Sequence, residues 1–266
     1  MVAICNGMVG FGGIVPYAGT FLNFVGYAAG AARVSAISGF RIILVATHDS
    51  IALGEDGPTH QPIEMLLMLR GMPNMHVYRP ADGNEVSAAY ASILAHPTTP
   101  ATVALTRQNL PHLAGSTMEK ALKGGYTVFD TADGSDDAVA LIYVATGSEV
   151  FMAIEAAKAA SAAGVGRVQV ASLLCCEVFE AQGGEYVRTV LPEGVPVVSA
   201  EASCTLGWER YSHTSLGIDR FGLSGPGPAV YEALGMTAEA LTTKGVALAA
   251  RFAGSPAPPL SLHFRF

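Results

Sequence analysis

Apolar residues along this chain fall into two alternating arrangements, short continuous runs and longer stretches with helical spacing. The run at 42–46, IILVA, is β-branched and bounded by polar residues, as a strand covered on both faces of a parallel sheet requires. Similar runs at 75–78 and 102–105 predict two more strands, and the spacing over 20–38, 62–69 and 84–94 predicts helices between them. From 107 to 137 the pattern weakens into RQNLPHLAG, KGGYTV and TADGSDD, polar and glycine-rich sequence that reads as a domain connection. A second alternation follows, with strands at 139–145, 167–173 and 195–201, helices at 149–163, 229–234 and 238–252, and an irregular tail. Strand and helix in alternation place helices on both faces of a mostly parallel sheet. The expectation is therefore two consecutive three-layer α/β domains, at 1–115 and 136–266, with a linker at 116–135.

Directly after the first predicted strand comes THDSIALGEDGPTHQP, at 47–62. It holds His48 and His60, Asp49, Glu55 and Asp56, with Gly54, Gly57 and Pro58 to prevent a regular helix until about Pro62. In open α/β sheets ligands bind beyond the carboxyl ends of the strands, so a loop this rich in proton-handling groups is a candidate site. The plain alternative is a polar turn whose histidines cap backbone groups. The aromatics Phe21, Phe24 and Tyr27 recur every third residue and would share one face of the helix expected at 20–38, where packing is the ordinary role of such a stripe. Arg107 follows the predicted strand at 102–105. VATGSEV at 144–150 reads as a strand-to-helix turn with Ser148 as N-cap and Glu149 in the first turn.

Composition narrows the partners. Half of the residues are hydrophobic and only 14% are charged, below the roughly 25% usual for a globular domain, and residues 1–32 carry no charged side chain. Pro16, Asn6, Asn23 and several glycines break that first stretch, which speaks against a membrane span and for a surface buried between subunits. Neither a signal peptide nor a positive n-region is evident, so a cytoplasmic setting is the default. The net charge of −7 disfavours nucleic acid and anionic membrane as partners. Cys5, Cys175, Cys176 and Cys204 show neither metal-ligand nor disulfide spacing, and NGMVGFGG lacks the strand that a dinucleotide fingerprint requires.

Seven strings occurring in order resemble transketolase: NGMVGFGG at the start, YAGTFLNFVGYAAGAARVSAISG at 17–39, GEDGPTHQP at 54–62, YRPADGNEVSAAY at 78–90, TRQNLP at 106–111, VATGSEV at 144–150 and GIDRFGLSG at 217–225. The resemblance runs almost the whole length, and GEDGPTHQP with RQNLP favours transketolase over deoxyxylulose phosphate synthase or a 2-oxo acid dehydrogenase beta subunit. It implies a thiamine diphosphate-binding pyrimidine domain followed by the transketolase C-terminal domain. It also implies transfer of a two-carbon ketol unit from a ketose phosphate to an aldose phosphate in the pentose phosphate pathway, by a homodimer.

The same resemblance assigns roles. Phe21, Phe24 and Tyr27 match the aromatics that cage the cofactor's aminopyrimidine ring, and His60 matches a catalytic histidine that contacts the oxygens of the transferring unit. Asp56 matches the aspartate that reads the C2 hydroxyl of the sugar, Arg107 an arginine on the substrate phosphate, and His48 a second donor near that end of the sugar. Asp56 has a competing explanation as an Asx turn. The family's diphosphate site, its Mg or Ca ligands and a catalytic glutamate in an Arg-Glu-His segment have no counterpart in these residues, so only the pyrimidine half of the cofactor would be met here. The chain thus reads as a transketolase fragment, inactive by itself. The second subunit of a split transketolase and a non-catalytic dimerising fragment stay open as alternatives.

Overall fold

The computed structural model describes residues 1–132 and 137–265. They form two sheets, each flanked by helices. The first consists of β1 (Tyr17–Phe21), β2 (Ile43–Thr47), β3 (His76–Tyr78) and β4 (Ala101–Leu105), all parallel in the order β1-β2-β4-β3. Four helices accompany it: α1 (Val2–Phe11), α2 (Ala29–Ser38), α3 (Met65–Arg70) and α4 (Gly83–Ala95). Leu44 and Ala46 on β2 pack with Leu22, Val25, Leu66 and Leu69 on one face, and Ile43 meets Tyr78, Ala89 and Ile93 on the other, as period-2 alternation between two helical layers demands.

The helix expected over 20–38 is three elements. Residues Tyr17–Phe21 join the sheet as β1, Leu22–Ala28 form a 3₁₀ helix, and only Ala29–Ser38 is α-helical. A three-residue aromatic repeat fits three residues per turn better than 3.6, and Gly19, Gly26 and Gly30 weaken any α-helix through this stretch.

The second sheet contains β5 (Tyr126–Asp130), β6 (Val139–Ala145), β7 (Arg167–Ser172), β8 (Val197–Ala200) and β9 (Thr214–Leu216), in the order β5-β7-β6-β8-β9. Only β5 runs antiparallel to its neighbour. With it go α5 (Met118–Ala121), α6 (Glu149–Ala160), α7 (Cys176–Glu180), α8 (Gly184–Val190), α9 (Gly227–Ala233) and α10 (Ala238–Arg251). The stretch read as a linker, 116–135, therefore carries α5 and β5, and β5 pairs with the second sheet; residues 133–135 of it lie outside the described residues. The tail expected to be irregular ends in a 3₁₀ helix, Ser261–Arg265, with Leu262 and His263 buried.

The two sheets share one hydrophobic core. Ile43, Ala88, Ala89 and Val103 of the first half cluster with Leu141, Tyr143, Val150 and Ala153 of the second. No helix of the described residues is long and apolar enough to cross a membrane.

Candidate active site

Sheet register brings the predicted residues to one edge. Phe21, Thr47 and Leu105 are level across β1, β2 and β4 at their carboxyl ends, so Phe21, His48 and Arg107 emerge together. The Asp49 amide donates to the Leu105 carbonyl at 3.2 Å, which ties the start of the loop to β4. His48 itself has φ of 60°, in the left-handed region that costs a non-glycine residue about 1 kcal/mol or more. Its ring stacks on Phe21 with centroids 4.0 Å apart.

The other rings gather around this pair. Phe24 lies nearly parallel to Phe21 with centroids 5.8 Å apart, Tyr27 follows at 6.1 Å from Phe24, and His60 stands edge-on to Phe24 at 5.0 Å and to Phe21 at 6.3 Å. Phe21, Phe24 and His60 are half-buried, whereas Tyr27 is 92% exposed. Burial lowers the pKa of His48 below the usual imidazole value, and Arg107 lowers it further against smaller opposing effects of Asp56 and Asp49. His48 is thus neutral near pH 7, and both Asp56 and Arg107 act on it.

The loop is pinned by side chains that spend their hydrogen bonds on its backbone. The buried Gln61 amide donates to the carbonyls of Ile51, Gly54 and Leu223 at 3.0–3.3 Å. Ser224 donates to Glu55 O at 2.6 Å, and Asn23 donates to Thr59 O at 2.5 Å. Gly57 has φ of 71°, and a Cβ there would stand 3.1 Å from Ser224 Cβ, so conformation and space both require glycine. Asp56 precedes the turn Gly57–Thr59 without a side-chain capping bond, so the Asx-turn explanation is not realised. His60 Nδ1 is hydrogen-bonded to Thr59 Oγ1 at 2.8 Å. All seven predicted residues stand along the carboxyl edge of the first sheet or on the loops that leave it.

A buried polar network behind this edge was not foreseen. Arg79, fully buried, donates from Nε to Asp49 Oδ2 at 2.8 Å and from Nη1 to Thr146 O, Thr146 Oγ1 and Glu149. Ser148 and Glu149 stand at the N-cap and in the first turn of α6 as expected, but the Ser148 side chain makes no capping bond and Glu149 is not left to the helix end. Instead Glu149 accepts from Ser148 Oγ, the Ala202 amide and the Tyr231 hydroxyl. Glu201 accepts a bidentate pair from Arg70, together with bonds from Thr146 and Trp208. Burial alone would raise the Glu201 carboxyl, but Arg70 and then Arg79 outweigh it and hold it down to about 2. The two arginines and the carboxylates they bond are 30 to 131 residues apart in sequence, so no local pattern announces those pairs.

A cavity of about 480 Å³ opens elsewhere between the two halves, bordered by Arg70, His76, Glu177, Trp208 and Tyr211. It lies by the amino end of β3, away from the aromatic cluster.

Residues 1–112 match the family of transketolase pyrimidine binding domains, and residues 124–237 match the transketolase-like C-terminal domain. The transketolase of Kluyveromyces lactis is 53% identical over 245 residues, covering 92% of this chain and 35% of that protein. The chain belongs to the transketolase family. A crystal structure of transketolase from Pichia stipitis in complex with sedoheptulose 7-phosphate superposes with a TM-score of 0.93 at 48% identity, over 98% of this chain and 38% of that one. An inactive β4 tetramer of a split-gene transketolase, 23% identical, has the same fold with a TM-score of 0.69 over 92% of this chain and 80% of its own. The chain spans about a third of the length of the curated transketolases it matches.

Proposed function

We propose that this chain supplies the aminopyrimidine cage and the sugar-contacting loop of a transketolase. The observation that carries the reading is the meeting of Phe21, Phe24, His48 and His60 rings at the carboxyl edge of the first sheet. Stacked and tilted aromatic faces suit an uncharged heteroaromatic ring, so the residues present fit the pyrimidine half of thiamine diphosphate. When bound, that cofactor supplies the nucleophilic carbon for ketol transfer. In the complete enzyme, Mg or Ca and the diphosphate would be held by a separate domain, as the family resemblance implies.

Within this reading Phe21, Phe24 and Tyr27 bind and orient the ring. His60, half-buried beside Phe24, donates to oxygens of the transferring unit and takes the proton back. Asp56 accepts from the sugar C2 hydroxyl, Arg107 takes the phosphate of the sugar phosphate in a bidentate fork, and neutral His48 adds one N–H donor. The complete enzyme would be a cytoplasmic homodimer of the pentose phosphate pathway, moving a two-carbon unit between ketose and aldose phosphates.

The test is steady-state kinetics in the enzyme assembled with its diphosphate-binding domain. His60→Ala should lower kcat about 100- to 10,000-fold with little change in cofactor affinity. Arg107→Ala should raise KM for phosphorylated sugars and leave slow turnover of unphosphorylated ones intact, because it removes binding shared by ground and transition states. Near-normal kcat for His60→Ala would remove the catalytic assignment.

A further inference from the structure

We propose that the second domain positions His48 through a buried ionic chain, Glu149 to Arg79 to Asp49, so that Arg79 and Glu149 are positioning residues for the site. The functional weight of this inference rests on the reading of His48 as a sugar-phosphate donor.

His48 is held in a backbone conformation that histidine does not favour, so its surroundings must impose it. The residue that follows supplies the grip. Asp49 is 0% exposed, its amide is bonded to β4, and its carboxylate receives Arg79 Nε. Arg79 belongs to the loop after β3, yet it is docked on the second domain by backbone and side chain alike. Its amide donates to Leu174 O at 2.9 Å, its carbonyl accepts from the Gly147 amide at 3.0 Å, and its fork ends on Thr146 and Glu149. Gly147 has φ of 52°, and a Cβ there would stand 2.9 Å from Arg79 Cζ, so the guanidinium lies directly against this turn. Glu149 is fixed in turn by the Ala202 amide at 3.1 Å and by Tyr231, whose hydroxyl is also 3.2 Å from Ser50 Oγ, two residues past His48.

Two charges removed from water seldom stabilise a fold more than a well-packed apolar pair would. What such a chain adds is direction: a planar fork bonded on both sides allows Asp49, and the residue before it, one placement. That placement sets the His48 ring on Phe21. The second domain also holds the far part of the loop, through Ser224 to Glu55 and Leu223 to Gln61.

Nuclear magnetic resonance of the histidine rings in the full 266-residue chain tests the proposal. Ring protons over the face of Phe21 are shielded, so His48 should resonate upfield of an unstructured histidine. Asp49→Asn, Arg79→Lys and Glu149→Gln should each lose that displacement while circular dichroism still reports a folded protein. Glu85→Gln is the control, since this buried carboxyl bonds Tyr126 and Ser172 and has no bond to the chain that reaches His48. It should lower the melting temperature and leave the His48 resonances in place. Should the charge variants fail to fold, Tyr231→Phe removes one hydroxyl from Glu149 and should produce a smaller change in the same direction. Unmoved His48 resonances in the folded variants, or equal movement in Glu85→Gln, would overturn the proposal. The readout needs neither sugar nor cofactor, so its failure is distinct from failure of the functional reading.

Discussion

His48 and His76 are two histidines driven toward the neutral form by burial, with different consequences. At His48 the effect keeps a neutral donor beside Arg107, which leaves the arginine as the cation of the pair. At His76, burial and then His96 push the pKa down to about 4. In the unfolded chain this imidazole takes a proton near pH 6.5, whereas in the folded chain it waits until about 4. Between those values the unfolded state binds more protons, so stability is full above about pH 6.5 and is lost as pH falls toward 4. After allowance for solvent at this half-buried ring, the loss should be about 1–2 kcal/mol. Urea denaturation across pH 4–7 should show that decline, and His76→Gln should flatten it; an unchanged slope would place the dependence elsewhere. The density of polar groups singled out the loop holding His48, Asp56 and His60, and the strand pattern put Arg107 just past β4; the roles given to these residues came from the family resemblance. Asp49, named in the same string, was given no role of its own, since its partner Arg79 is 30 residues away and visible only once the chain is folded.

Elements with a strong apolar period were the legible ones. β2, β4, β6, β7 and α10 lie close to where their spacing put them, because each is covered by neighbours that reward the period. β1 was hidden inside an apparent helix, and the three-residue β9 at the sheet edge has too few positions for any pattern. The turn between β6 and α6 was read as an ordinary capped start, whereas it forms the seat for Arg79. Gly147→Ala tests that difference. A methyl group at φ of 52° and 2.9 Å from the Arg79 guanidinium meets both backbone strain and a charge with no room to retreat. Stability should fall by about 2 kcal/mol or more, as measured by denaturant titration. An ordinary cap position would tolerate alanine within about 0.5 kcal/mol.

At the scale of the whole molecule, the amino-terminal region leaves a great deal of apolar surface uncovered. Ile4 is 68%, Phe11 93%, Tyr17 74% and Tyr27 92% exposed, and the charge-free sequence offers no polar rim of its own. Surfaces of this kind mark interfaces. The chain by itself should therefore associate at micromolar concentration; light scattering that reports a stable monomer would contradict this. The aromatic cluster adjoins the same surface through Tyr27, which ties the proposed cofactor site to whatever covers it. The central claim, that the carboxyl edge of the first sheet receives the pyrimidine of thiamine diphosphate, is tested most directly by adding that cofactor to isotopically labelled chain and following backbone amide shifts. The account predicts saturable changes confined to residues 21–27 and 47–60 that disappear in Phe24→Ala. Changes centred instead on the cavity beside Trp208, or none at millimolar cofactor, would contradict it.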